Sequence, residues 1–475
     1  MEELCWMPAT ELATRYRARE LSPVEVVEAV LARIEQLNPQ LNAFLTITAD
    51  HARDLAKASE ERLHRDEPLG LLDGVPYSLK DLEPTKGIRT TFGSKFFEQY
   101  VPDEDGVVAE RMRQSGAVLL GKTNTPHFGH KELSDNLLGE PCRNPWNRER
   151  SPGGSSAGAG AAVAAGLGPL AHGTDGAGSI RIPASFCGIV GFKPSLGRVP
   201  YAPHVDPWSA FTHSGPMTRT VRDAALMLQA MAGPDARDPL SIDSAPVDYL
   251  AACEGDLAGL RIAWSPDLGT GPVEPEVAAI AEAAARRFVE LGCTLDTPQI
   301  SWPDARSFYT IIWDVAQGAR VYEQAQQRPD WIEPTLMRMV LNAGSISAIQ
   351  HRQALYERAN YYRAVLASFD DFDLLLTPTM PAGAWPLGSG AEEEPRTIAG
   401  RPVAHLIDRV PFMYPFNITG QPAITAPCGF TSAGLPVGLQ IVGRWHSDAL
   451  VLRAAACFEA IAPWPEQKPA LSLKG

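Results

Sequence analysis

Gly154-Ser-Ser-Ala-Gly158 satisfies G-x-S-x-G, the pattern that lifts a serine, here Ser156, onto a strand-to-helix turn as an acyl-transfer nucleophile. That turn needs a strand directly before it and an acid and a histidine later in the chain. Residues 144–152 (Asn-Pro-Trp-Asn-Arg-Glu-Arg-Ser-Pro) read as loop, and none of His172, His204, His213, His351, His405 or His446 sits in a signature of its own. Ser156 is thus the weaker nucleophile. Gly116-Ala-Val-Leu-Leu-Gly-Lys-Thr123 satisfies the Walker A pattern. A phosphate cradle, however, requires a flexible turn opening a helix. Ala-Val-Leu-Leu suits a buried strand, and Asn124-Thr-Pro126 is a poor helix interior. A strand ending in a polar turn is expected, without ATP binding.

A longer constellation begins at Gly153-Gly-Ser-Ser-Ala-Gly158, continues in Thr174-Asp-Gly-Ala-Gly-Ser-Ile-Arg181 and ends in Ile182-Pro-Ala-Ser-Phe-Cys-Gly-Ile-Val-Gly-Phe-Lys-Pro194. Upstream, Gly74-Val-Pro-Tyr-Ser-Leu-Lys80-Asp81 puts a lysine after an apolar strand. In these segments the chain resembles the amidase signature family of serine hydrolases. Gly121-Lys-Thr-Asn-Thr-Pro126, Gly215-Pro-Met-Thr-Arg-Thr-Val-Arg-Asp223, Leu376-Thr-Pro-Thr379 and Pro415-Phe-Asn-Ile-Thr-Gly-Gln-Pro422 extend the likeness, in family order, over most of the chain. In Ala177, where the family most often has Gly, it also resembles the branch that includes hydrolases of nylon oligomers (6-aminohexanoate cyclic dimer) and carbamate-cleaving amidases.

The resemblance implies Ser179 as nucleophile, Ser155 as a bridging serine on a cis peptide and Lys80 as base. A serine hydroxyl attacks only when a neighbour accepts its proton. A lysine accepts only when neutral, a form that burial favours. Ser155 would relay the proton and later return it to the leaving amine. Gly176, Ala177 and Gly178 would aim N–H groups at the oxyanion; the Ala177 methyl narrows the acyl side without removing an N–H. The reaction implied is cleavage of a C–N acyl bond (amide, aryl amide, oligoamide or carbamate, and esters) through an acyl-enzyme on Ser179. No metal or organic cofactor is implied. The expected partner is a small-molecule substrate, with the chain a monomer or homodimer. The rival reading is the glutamine-hydrolysing subunit of a tRNA-dependent amidotransferase, against which an aromatic loop at 201–211 speaks; a non-catalytic scaffold of the same fold is remoter.

Each residue also has an ordinary alternative. Lys80 alone would be a solvated lysine, and Ser155 and Ser179 would be caps or turn residues. Asp175 and Arg181 are expected to hold the loop by hydrogen bonds, and Ser156 to support the Lys80–Ser155 pair or cap a helix. His127 and His130 could line an entrance or sit in a surface loop. Tyr201, Trp208 and Phe211, with Tyr309, Trp313, Trp331, Trp385 and Tyr414, would give an apolar, aryl-accepting wall; for any one of them, a core role is the usual explanation.

The elements that must position these residues are α/β. Residues 1–66 read as helices on the outside: Ser22-Pro-Val-Glu25 is a capping box with Pro at the first helical position, its helix ending before Asn38-Pro39, and a charged amphipathic stretch covers Ala49–Leu63. Runs such as Val107–Val108 and Ala117–Leu120 then alternate with helical patterns, which indicates an α/β architecture around a large sheet; the resemblance implies that this sheet is twisted, mixed and surrounded by helices. The expected organisation is one α/β/α domain over 1–475, with a catalytic core at 74–223 containing the signature segment 153–194, and an exposed loop at 383–396. Composition agrees: 45% apolar and 21% charged residues exclude wholesale disorder. With a net charge of −14, a basic face for nucleic acid or anionic membrane is not expected. Seven scattered cysteines, no C-x-x-C and no basic-then-apolar start point to reduced thiols and a cytoplasmic protein.

Overall fold

The computed structural model describes residues 2–208, 211–387, 397–403 and 406–471. Eleven strands form one sheet: β1 (Phe44–Ile47), β2 (Pro76–Lys80), β3 (Val118–Thr123), β4 (Leu170–Asp175), β5 (Val190–Lys193), β6 (His213–Thr218), β7 (Arg261–Trp264), β8 (Thr294–Asp296), β9 (Leu374–Pro378), β10 (Ala423–Phe430) and β11 (Pro436–Gly443). Their spatial order is β1-β3-β2-β4-β6-β5-β10-β11-β9-β7-β8. Pairing is parallel among β3, β2 and β4 and among β9, β7 and β8, and antiparallel elsewhere.

Both faces of this sheet are buried, as its alternation shows. Leu374 and Leu376 of β9 join one apolar core while Leu375 joins another; Ile262 and Trp264 of β7 divide likewise from Ala263. The first core is closed by the helices Pro23–Leu41, Val221–Met231 and Asp448–Ile461. The second lies under the helices Arg306–Arg320, Pro334–Ser345 and Ala348–Ser368. The architecture is the expected three-layer α/β/α one. Among the described residues, no helix is long and apolar enough to cross a membrane.

Several local expectations change. Ser22 does form the capping box with Glu25, but the helix continues through Pro39 to Leu41. A proline in the last turn withholds one N–H without ending the carbonyl ladder, and Asn42 closes it in the left-handed region. The first 66 residues are not all helical, since Phe44–Ile47 pairs with β3 at the sheet edge. Val107–Val108 opens a helix rather than a strand. Val118–Thr123 of the Walker-like stretch is a buried strand, as its apolar residues require. In 383–396, Ala384 and Trp385 are buried, the indole lying edge-on to Phe186 at 4.7 Å, so the loop is not exposed there; residues 388–396 lie outside the described residues. All seven cysteines are free thiols.

Candidate active site

β2 and β4 are parallel neighbours, so their carboxyl ends meet at one edge of the sheet. Lys80 ends β2, and Thr174 and Asp175 end β4. Lys80 is fully buried, with Nζ 2.7 Å from Ser155 Oγ and 2.9 Å from Thr174 Oγ1. Burial drives its pKa well below the usual lysine range, although Asp175 opposes the shift. A neutral amine between two hydroxyls can take a proton from one of them.

Ser155 follows the cis peptide Gly154–Ser155 and precedes the helix Ala157–Ala164. A side chain at Gly154 would place its Cβ 2.3 Å from the Leu133 carbonyl oxygen, so only glycine fits there. Ser156 N donates to Ser179 O at 3.1 Å, tying this segment to the loop after β4. Ser156 Oγ accepts from Thr174 N and donates to Thr174 O, both at 3.2 Å. It braces the backbone of Thr174, whose hydroxyl also meets Lys80, and does not cap the helix.

Ser179 and Ser155 border one cavity of about 360 Å³, walled by Phe128, Tyr201, Phe211, Ile312 and Trp313. The loop carrying Ser179 is held from inside. Asp175 accepts from Gly178 N at 2.6 Å and Ile180 N at 3.2 Å, and pairs with Arg181 at 2.9 and 3.0 Å. Burial alone would raise the Asp175 pKa, but Arg181 overcomes it and holds the carboxyl well below the usual range. Arg181 is itself fully buried and also reaches Met413 O, Asn417 Oδ1 and Gln440 Oε1 at 3.1, 2.6 and 2.7 Å.

The N–H of Gly178 is thereby occupied, contrary to its expected place in an oxyanion hole. The tight turn at Gly178 (φ +106°) directs that amide back at Asp175. Among the described residues no protein group accepts from Gly176, Ala177 or Ser179 N, and these three amides are the ones left for a substrate oxygen.

Two further expectations fail. His127 is buried behind Phe128 with neither ring nitrogen hydrogen-bonded to a described residue; burial pushes its pKa down to about 3, and it does not line the cavity. Its neighbour His130 is also buried, between His127 O and Thr335 Oγ1. Trp208 is 76% exposed and is not part of the cavity wall. The loop is held by Tyr201 N on Asp238 and by the Phe211 ring against Tyr309 and Trp313, and His204, Val205 and Asp206 border the cavity, while Trp208 lies beyond them in solvent. Trp331 packs edge-on to Phe96 and Trp385 is in the core, both outside the cavity wall.

Motif reading gave no roles to Thr174, Phe128, Arg320 or Asn417. Thr174 and Asn417 stood inside quoted motifs, while Phe128 and Arg320 had no signal of their own. Tyr309 adds a positioning contact: its hydroxyl donates to Gly176 O at 3.1 Å. That carbonyl shares a peptide plane with Ala177 N–H, so the phenol orients and polarises a free amide. Tyr309→Phe is expected to lower kcat about tenfold, the effect of ~1.4 kcal/mol, with KM little changed. Steady-state kinetics on an anilide checks this; a change confined to KM would make Tyr309 only a wall residue.

The sequence matches the amidase family over residues 25–452. It is 42% identical to an acylamidase of Rhodococcus erythropolis over 99% of both chains. It is 37% identical to a glutamyl-tRNA(Gln) amidotransferase subunit of Moorella thermoacetica, over 99% of this chain and 100% of that one. Among solved structures, a bacterial aryl acylamidase of the amidase signature family superimposes with a TM-score of 0.92 at 33% identity, covering 98% of this chain and 99% of that one. A likeness of this extent, reaching from the sheet to the segments around the buried lysine, shows that the chain belongs to the amidase family and hydrolyses amide C–N bonds.

Proposed function

We propose that the hydrolysis runs through an acyl-enzyme on Ser179, with Ser155 and Lys80 as proton relay. The observation that carries this reading is the buried Lys80 Nζ, 2.7 Å from Ser155 Oγ at the edge of the cavity that Ser179 also borders. Ser155 takes the Ser179 proton as it passes its own to neutral Lys80, and Ser179 Oγ bonds to the acyl carbon. The oxyanion is held by the amides of Gly176, Ala177 and Ser179. Collapse breaks the C–N bond, and the proton returns through Ser155 to the departing nitrogen. Water then adds to the Ser179 ester by the same relay and frees the acid. Esters and carbamates pass through a similar intermediate and are expected to react.

The substrate is a small-molecule amide of an aromatic amine, because the cavity wall is built from Phe128, Tyr201, Phe211 and Trp313. Glutamine hydrolysis keeps one observation in its favour. Arg320 borders the cavity with its guanidinium 4.4 Å from the Phe128 ring centre, a cation that suits a carboxylate. Assay of glutamine beside an anilide separates the two readings.

The direct test is labelling with a fluorophosphonate followed by peptide mass spectrometry. An adduct on Ser179 that disappears in Lys80→Ala is expected. An adduct on Ser156 would overturn the relay and restore the nucleophile-elbow alternative.

A further inference from the structure

Ser179 stands between two cavities of unequal size. On one side is the 360 Å³ cavity, which Ser155, Thr174 and Gly176 also border. On the other is a pocket of about 30 Å³, bordered by Ala177, Tyr309, Trp313, Ile407 and Val410 but not by Ser155. The small pocket has less than a tenth of the large cavity's volume, so it suits a short chain and not a ring system. Charged side chains at its rim are engaged with one another: Lys131 pairs with Glu333 and with Asp135 at 2.6 Å, and Glu132 pairs with Arg409 at 3.0 Å. The other polar groups on its lining are engaged as well, His130 with His127 O and Thr335, Tyr309 with Gly176 O and Thr310 with Arg306 O, so the lining left to face the nucleophile is apolar.

We infer that the enzyme divides its substrate at Ser179, with a short acyl chain in the small pocket and a bulky amine in the large cavity. The inference rests on Ser155 as the group that returns the proton. The leaving nitrogen must come within hydrogen-bond reach of Ser155 Oγ, which opens only on the large side. The free amides lie at the junction, Gly176 bordering the large cavity and Ala177 the small pocket, so a carbonyl held there points its two substituents into different spaces. The reverse placement would leave the departing nitrogen facing a pocket with no proton donor from the relay. The same division serves the second step. The acyl group stays in the apolar pocket while the amine vacates the large cavity, and water enters beside Ser155.

The balance is that of hydrolysis. The Ser179 O–C bond forms, the C–N bond breaks, and one proton travels from Ser179 through Ser155 to the amine. Water then supplies the hydroxyl to the acid and the proton that restores Ser179.

Two matched series test it. In the first, 4-nitroanilides carry acetyl, propionyl, butyryl, hexanoyl and octanoyl chains; in the second, acetyl amides are made of aniline, 2-aminonaphthalene and 4-aminobiphenyl. At least a tenfold fall in kcat/KM is expected between propionyl and hexanoyl, with less than a threefold fall across the amines. Val410→Ala, which removes wall from the small pocket only, should raise the hexanoyl-to-acetyl ratio at least fivefold. The unmodified protein's own series decides the matter if that variant does not fold. A flat acyl profile, or one favouring octanoyl while rejecting the biphenyl amide, would overturn the division. Fluorophosphonate labelling of the same preparation keeps the two questions apart: Ser179 labelled with a reversed profile fells the division alone, and Ser179 unlabelled fells the relay beneath it.

Discussion

Lys80→Met is expected to lower kcat/KM by up to about 10⁴-fold, and to shift the stability difference from the parent in the variant's favour as pH falls from 10.5 towards neutrality. The kinetic loss follows from the relay. A positioned base contributes up to about 10⁴-fold, and groups that act as a unit fail together, so Ser155→Ala in the same background should add little. The stability effect follows from linkage. Above 10.5 the lysine is neutral in both folded and unfolded chains, and its ionisation contributes nothing. Below 10.5 the unfolded chain takes up a proton that the buried amine refuses. The unfolded state therefore binds more protons, and the parent loses stability as pH falls until the lowered folded pKa is reached. Methionine, of similar length and without charge, does not incur this penalty. Denaturation of both proteins at pH 7 and pH 10.5 measures it. Equal differences at the two pH values would show that Lys80 is protonated when folded, and the relay would lose its acceptor.

The acid limb of the pH–rate profile belongs to the same group. Activity should fall as pH drops through the folded pKa of Lys80, well under the ordinary lysine value. Neither Asp175 nor His127 supplies a competing limb near neutrality. The first remains ionised through its contact with Arg181, and the second remains neutral through burial.

That Lys80, Ser155 and Ser179 belong together was legible because they stand in short, unusual strings: a lysine ending an apolar strand, and serines set among glycines. The framework was legible where one residue type acts alone, as with Ser22-Pro23 starting a helix or Ala117–Leu120 making a strand. Partner-dependent features were not. Phe44–Ile47 is a strand because β3 offers an edge to it, and its four residues carry no alternation strong enough to announce that. Trp313 and Arg320 reach the cavity, and Tyr309 the small pocket beside it, from a helix more than 120 residues beyond Ser179, and tertiary packing alone brings them there. The N–H of Gly178 could be assigned to Asp175 only from the turn itself. Trp208 misled for the opposite reason, since an aromatic-rich string does not say which rings face inward.

Arg181→Met is expected to destabilise the fold by about 3–5 kcal/mol, the cost of leaving one member of a buried ion pair behind. Asp175 would keep the amides of Gly178 and Ile180 but lose the cation that overcomes its burial, and Asn417 and Gln440 would lose a shared donor. The contribution of the pair has a pH signature. In the parent, Asp175 has a folded pKa below its unfolded value of 3.8, so its stabilisation is present above that pH and is lost as pH falls below it. In the variant burial is no longer overcome and raises the carboxyl pKa, so the folded chain takes up this proton more readily than the unfolded one and the variant gains rather than loses stability as pH falls. The stability gap between the two proteins should therefore narrow as pH drops below about 4. Chemical denaturation followed by tryptophan fluorescence from pH 7 to pH 3 measures the gap. If it stays constant, the loss lies in the neutral hydrogen bonds of the guanidinium rather than in the charge pair. Activity should fall further than stability alone requires, since the loop that Asp175 and Arg181 tie down carries Gly176, Ala177 and Ser179 as one rigid turn. A variant that retains full kcat at low temperature, despite losing several kcal/mol, would show that the turn holds its shape without the pair.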